Sequence, residues 1–228
     1  MIIHKYGVTL KRITEDDIEL LRQWRNSDQI KRNMEYREYI TPEMQKKWFD
    51  SINNYNNFYY LIIYKGDKIG VINEKNIDRN GKGTSEAGLF IADEKYLKSY
   101  IPLLASLIMI EANFYLLGGK ESYIRTLKGN KKAIEYNKSL GYQLCDGQED
   151  VENQLYVLTR ENFEKKTRKI RKAASRFTDS DYPNGYVLFE SHDYELGIAQ
   201  EFEKIIQQGG LPVEVKTEET GEGKVFYY

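Results

Sequence analysis

Residues 86–142 read EAGLFIADEKYLKSYIPLLASLIMIEANFYLLGGKESYIRTLKGNKKAIEYNKSLGY, and the order of signals within this run decides the fold. Glu86 to Ala92 reads as a strand and Asp93 to Ser99 as a polar loop. Ile101 to Leu117 is a long apolar helix, ended where Gly118-Gly119 supplies the backbone freedom of a helix stop. A strand follows near Tyr123 to Leu127. Asn130 then opens a short helix near Lys131 to Leu140 that Gly141 closes, and a further strand lies near Gln154 to Thr159.

Upstream, Val8 to Ile13 reads as a strand. Thr14-Glu15-Asp16-Asp17 resembles a capping box and opens a helix carrying Ile18, Leu21 and Trp24. Thr41-Pro42-Glu43-Met44 opens a second helix, with Pro at the first helical position and Met44, Trp48 and Ile52 on one face. Phe58 to Tyr64, the turn Lys65-Gly66-Asp67-Lys68, and Ile69 to Asn76 make a hairpin. The turn Asp78 to Gly83 extends it to a three-strand meander with Glu86 to Ala92. The order βααβββαβαβ predicts an α/β (α+β) fold, a mixed central sheet flanked by helices on both faces.

Downstream the charge pattern changes. Residues 165–177 hold seven basic and no acidic residues, whereas residues 178–228 hold eleven acidic and three basic. This places a boundary between a first domain, 1–164, and a basic linker with a small C-terminal unit, 165–228. That unit reads as a strand (Gly185 to Glu190), an amphipathic helix (Tyr194 to Gln207) and a hairpin from Val213 to Tyr228, turned at Gly221-Glu222-Gly223. About fifty residues are near the lower limit for an independent core, so it is expected to pack on the first domain or on a second copy, which makes a homodimer an expected assembly.

Over all 228 residues, 34 Lys and Arg balance 35 Asp and Glu. That balance excludes a protein held on nucleic acid by counterion release alone. One cysteine, Cys145, forbids an intrachain disulfide, and with only two histidines no metal site is expected. The longest apolar run, Ile101 to Ile110, is broken by Pro102 and Ser106. Neither a signal peptide nor a membrane span is read, and a reducing cytoplasm is the expected compartment.

The succession of strand, loop, helix and strand, followed by N-x-x-A-I and L-G-Y, resembles the GCN5-related N-acetyltransferase (GNAT) superfamily over residues 8 to about 160. The family typically has N-x-x-S/A-I/R and L/C-G-F, and Asn130, Ala133, Ile134, Gly141 and Tyr142 match position by position. Leu21 to Ser27, then Met34, Ile40-Thr41-Pro42 and Gln45 to Phe49 look like the branch that acetylates 4-amino-6-deoxy nucleotide sugars, as in pseudaminic acid synthesis. The resemblance implies acetyl-CoA as cosubstrate and a small amine as acceptor. It implies cofactor contacts from Phe90, Ile91 and Ala92 where two strands splay, from Lys98, Ser99 and Tyr100 at the start of the long helix, and from Asn130 and Tyr136. Two departures stand out. The pyrophosphate loop, usually R/Q-x-x-G-x-G/A, aligns with Tyr96 to Ile101 and has no glycine, and the position of the family's acidic tyrosine falls on Asn137.

Direct acetyl transfer needs the acceptor amine deprotonated and the thioester carbonyl polarised, with no covalent enzyme intermediate. Glu86, Glu74 and Asn73 are the candidates for receiving the proton through water. Period-two alternation puts Glu86, Gly88 and Phe90 on one face, so Glu86 reaches the cleft only if that face lines it. Trp24, Arg25, Asn26, Met34, Gln45 and Trp48 are the candidate substrate wall, since a guanidinium fork suits a nucleotide phosphate and an aromatic face suits a sugar or base. The two tryptophans serve equally as core anchors. Two alternatives stay open: a catalytically silent domain of the same fold that binds a partner, and an enzyme acting on a protein N-terminus or a polyamine.

Overall fold

The computed structural model describes residues 1–79, 81–177, 185–221 and 223–228. Asn80 and Glu222, both read as turn residues, lie outside the described residues. The N-terminal part contains β1 (Ile2–Lys5), β2 (Val8–Arg12), α1 (Ile18–Asn26), α2 (Asp28–Lys31), α3 (Pro42–Ile52), β3 (Phe58–Tyr64) and β4 (Asp67–Lys75). Next come β5 (Thr84–Ile91), α4 (Glu94–Leu97), α5 (Ile101–Glu111), β6 (Glu121–Leu127), α6 (Lys131–Leu140), β7 (Gln143–Leu144) and β8 (Asn153–Thr159). Then follow α7 (Arg160–Ala174), β9 (Tyr186–Leu188), α8 (Ser191–Glu195), α9 (Ile198–Gln208), β10 (Lys216–Thr220) and β11 (Gly223–Tyr227).

Local chemistry sets the helix ends near where the sequence placed them. Thr41 Oγ1 accepts from Met44 N at 3.3 Å, and Asn130 Oδ1 accepts from Ala133 N at 3.2 Å, each satisfying a first-turn donor. Gly141 ends α6 in the left-handed region, at φ 106°. There a Cβ would meet Asn162 O at 2.8 Å, so both backbone angle and space require glycine. The long apolar helix ends in one wider turn, with Leu117 N bonded to Ala112 O.

The strands form one mixed sheet in the order β10-β11-β9-β1-β2-β3-β4-β5-β6-β8-β7. All neighbours are antiparallel except β5 and β6. The mixed sheet with flanking helices is the expected fold, but it is longer than the sequence indicated. β1 was not anticipated, because its link to β2 is Tyr6-Gly7, where φ of 54° and 71° gives a tight turn without the usual Asn-Gly or Asp-Gly signal. The boundary expected between 164 and 165 falls inside α7. The segment read as a basic linker is helical because Phe163, Thr167, Ile170 and Ala174 recur at helical spacing and turn inward.

The C-terminal residues join the same sheet and the same core. β9 pairs with β1 (Ile3 with Val187) and with β11. Phe189, Phe202 and Phe226 meet edge-on or tilted at ring separations of 5.0–5.7 Å and lie in one buried cluster with Ile3, Tyr60, Leu107 and Phe163. Buried Glu111 of α5 fastens this side: it accepts from Tyr6 Oη at 2.9 Å and pairs with Lys5 at 2.9 Å and Arg171 at 3.7 Å. A smaller cluster covers the opposite face, where Leu21, Phe49, Trp24 and Trp48 meet Leu61, Val71, Tyr59 and Phe90. Among the described residues no helix is long and apolar enough to cross a membrane.

Candidate active site

The sheet opens at one place. β5 and β6 are paired in parallel only from Thr84 with Glu121 to Ala87 with Ile124, and beyond Ala87 the two strands part. On its other side β5 stays bonded to β4 as far as Gly70 opposite Ile91. Gly88, Leu89 and Phe90 are therefore half-exposed in the middle of a sheet, as strand residues beside an open gap should be.

Which amides face this gap follows from strand alternation. Ala92 N donates to Ile69 O at 2.8 Å, so Ala92, Phe90 and Gly88 turn their peptide groups toward β4. Leu89 and Ile91 turn theirs toward the gap, and Gln29 Nε2 reaches Ile91 O there at 3.5 Å. Of the expected set, Ile91 turns its amide toward the gap, whereas the amides of Phe90 and Ala92 are used within the sheet. The amide of Leu89 faces the gap beside that of Ile91.

On the α1/α3 face, the side chains of Tyr59, Asn73, Glu86 and Phe90 project from three adjacent strands, with Gly88 between Glu86 and Phe90. Trp24 meets Phe90 edge-on at 6.3 Å, and Trp48 meets Tyr59 edge-on at 5.1 Å. Trp48 also donates to the Tyr59 hydroxyl, whose pKa is pushed up to about 12 by burial and then by Glu86. Arg25 lies beside Tyr59. Burial lowers its pKa, and its Nε has no partner among the described residues. Asn73 Nδ2 faces Glu86 O at 3.5 Å, and the Glu86 carboxylate pairs with Lys75 at 2.8 Å. Trp24, Arg25, Trp48, Asn73 and Glu86, expected separately, are thus gathered on one wall. Tyr59 was missed because its neighbours are set by cross-strand register rather than by any local pattern.

Other candidates stand apart. Glu74 points to the opposite face and is fully buried, with Oε1 accepting from Ser122 Oγ at 3.0 Å. Desolvation raises its pKa to about 7. Asn26 spends both ends of its amide on Ile40, through Nδ2 to O at 2.9 Å and Oδ1 from N at 2.8 Å, fixing the chain after α2. Gln45 is buried in the first turn of α3, and Met34 is half-buried in the segment after α2. Tyr136 Oη is bonded to Ser106 Oγ at 2.7 Å and Pro102 O at 2.9 Å, which ties α6 to α5. Asn137 Nδ2 bonds Thr126 Oγ1 of β6 at 3.3 Å.

Before α5 the expected loop contains the short helix α4, started by the Asp93 side chain. Ser99 Oγ takes Ile101 N at 3.2 Å, and Pro102 has no N–H to offer. Lys95 is held by Asp67 at 3.0 Å and Asp93 at 3.1 Å. Lys98 is exposed and in no ion pair among the described residues, and Tyr100 stacks on Phe177 at 4.9 Å. An acetyl-CoA molecule fits this arrangement. The amides of Leu89 and Ile91 face the gap, where a carbonyl would lie, and Lys98 is a cation on the segment before α5 that would face the pyrophosphate. No group of metal-ligating residues is present among the described residues.

Comparison with known proteins agrees with this geometry. The family model described as Acetyltransferase (GNAT) domain matches residues 8–143. Among solved structures, apo FdhC, described as a nucleotide-linked sugar GNAT, superposes with a TM-score of 0.63 at 24% identity, covering 78% of this chain and 99% of its own. The aminoglycoside acetyltransferase AAC(6')-Ib in complex with coenzyme A gives 0.59 at 18% identity, covering 69% and 98%. A spermidine N-acetyltransferase from Vibrio cholerae, in complex with CoA and spermine, gives 0.58 at 14% identity, again covering 69% and 98%. Comparison with curated proteins by sequence finds no match.

Proposed function

The chain belongs to the acetyltransferase (GNAT) family, whose members use acetyl-CoA, and from that premise we propose that it acetylates an amine of a small nucleotide-linked sugar, of the 4-amino-6-deoxy class. The carrying observation is the charge and chemistry of the acceptor wall. Arg25 lies beside Tyr59, one of the rings that cluster with Trp24, Trp48 and Phe90. Outside it, Lys31, Arg32 and Arg37 share an open depression with a single acid, Asp28. None of these four cations is in an ion pair among the described residues. Polyamines and aminoglycosides are polycations, which such a wall repels, whereas a diphosphate and its attached sugar match it.

Acetyl-CoA supplies an acetyl thioester, whose acyl carbon bonds to the amine nitrogen as the C–S bond breaks and sulfur departs as the thiol with a proton. The protein's part is placement. Leu89 and Ile91 amides point into the gap where a carbonyl oxygen gains charge. Glu86, held by Lys75, takes the amine's proton through water. Residues 165–228 serve in this reading as a structural extension of the domain.

The specific observation favouring a silent, partner-binding domain is the thin anion cradle at α5, where Ser99 and Pro102 remove first-turn donors. Calorimetry with acetyl-CoA, followed by a panel of nucleotide-linked amino sugar, free amino sugar, spermidine and aminoglycoside, separates the readings. The expected result is binding, with fastest transfer to the nucleotide-linked sugar. Arg25→Lys keeps the charge but loses the fork, and should weaken use of that acceptor more than of the free sugar. Equal loss on both, or no binding at millimolar acetyl-CoA, rejects the proposal.

A further inference from the structure

Gly88 stands opposite Asn73 in the β4–β5 ladder and is the first residue of β5 beyond its last pairing with β6. Its backbone does not require glycine, because it is absent from the positions with positive φ. Its lack of a side chain is nevertheless used: a Cβ there would lie 2.8 Å from Asn73 Oδ1, closer than real Cβ contacts come. The Asn73 carboxamide therefore lies across β5 in the space a side chain would fill. Its orientation is also set. Nδ2 faces Glu86 O at 3.5 Å, and the reverse orientation would put two oxygens together. Oδ1 is left at Gly88, where the strands part, on the wall that carries Arg25, Trp48 and Tyr59.

We propose that Gly88 is a positioning residue, which admits the Asn73 side chain across β5 so that Oδ1 accepts a hydrogen bond from an N–H of the acceptor amine at the mouth of the gap. This rests on the acetyltransferase reading. An attacking amine must present its lone pair to the acyl carbon, and an acceptor for one of its hydrogens fixes that direction. A neutral carboxamide suits the task better than a carboxylate, which would favour the protonated ammonium form and withdraw the lone pair.

The test uses the whole chain and whichever amine of the panel the parent acetylates fastest. Gly88→Ala should lower kcat/KM for that amine about tenfold, the worth of one hydrogen bond, while the Kd for acetyl-CoA measured by calorimetry stays unchanged. Adding Asn73→Ser, whose shorter side chain clears the new methyl but lacks the carboxamide oxygen, should not restore the loss, whereas a merely steric clash would be relieved by it. Asn73→Asp keeps an acceptor but adds charge, and should move the pH at which transfer is half-maximal upward. The Asp variant also decides the matter if Gly88→Ala does not fold. Full activity in Gly88→Ala, a parallel loss of acetyl-CoA binding, or an unmoved pH profile in Asn73→Asp overturns the proposal. A parent that binds acetyl-CoA and acetylates nothing sinks the functional reading itself, and this inference with it.

Discussion

The two faces of the central sheet are built from the same strands and do different work. On β3, Phe58, Tyr60 and Ile62 are wholly buried under α5, while Tyr59 on the other side is half-exposed. On β5, Ser85 is buried while Glu86, Gly88 and Phe90 stay accessible. The first face is a continuous core that takes in the C-terminal aromatics. The second is a small cluster bordered by partly wet rings and by Arg25, whose Nε has no partner among the described residues. Closing a face completely gives stability, and closing it halfway leaves room for a substrate.

The largest expected effect tests whether the packed face really extends to the C-terminal residues. Phe202→Ala should destabilise the protein by about 3–5 kcal/mol in denaturant unfolding, the cost of emptying a fully buried aromatic site. A loss below about 1 kcal/mol would show that the C-terminal cluster does not share the main core.

The next compares one acid from each face. Glu74 has its pKa raised from 4.5 to about 7, so the folded state holds a proton that the unfolded chain has lost. Its contribution is complete below about pH 4.5 and is lost as pH rises through 7, a decline of about 3 kcal/mol by linkage. Glu74→Gln, permanently neutral, should remove that decline from unfolding curves taken between pH 4 and 8, whereas Glu86→Gln should leave it in place. An unchanged slope in Glu74→Gln would mean that Glu74 is ionised in the fold.

Smaller again is Asn130→Ala, which removes the α6 cap and should cost about 1 kcal/mol in stability. If acetyl-CoA affinity falls well beyond what that loss explains, Asn130 contacts the cosubstrate as well as its own helix. Smallest is Lys98→Ala. It should weaken acetyl-CoA binding a few-fold at low salt and hardly at high salt, because Lys98 is exposed and screened. Salt-independent loss would move the anion site elsewhere.

What could be read from sequence was what chemistry decides locally. Thr41, Asn130 and Gly141 mark helix ends through their own hydrogen bonds or backbone angles, and all three hold those places. Elements that depend on distant partners were obscure. The four residues of β1 are extended because β2 and β9 flank them, and α7 is hidden by cations that outnumber its inward residues Phe163, Thr167, Ile170 and Ala174. The same division runs through the site. Trp24 and Trp48 were legible from helix spacing, and Arg25 from the resemblance of its segment and the chemistry of its guanidinium. Tyr59 and Leu89 needed the register of β3 with β4 and the side on which β5 comes free. The turn of Glu74 away from Asn73 was implicit in strand alternation, but which face held the cleft was not.

The pairing of β1 with β9 also sets a timetable. Ile2–Lys5 leaves the ribosome more than 180 residues ahead of Tyr186–Leu188, the partner for its second edge. At about 5–20 residues per second the nascent chain carries that unpaired edge for roughly ten to forty seconds. Until then its backbone donors and acceptors are open to any other extended chain nearby. Conditions that slow elongation late in the message should therefore lower soluble yield more than the same delay placed early.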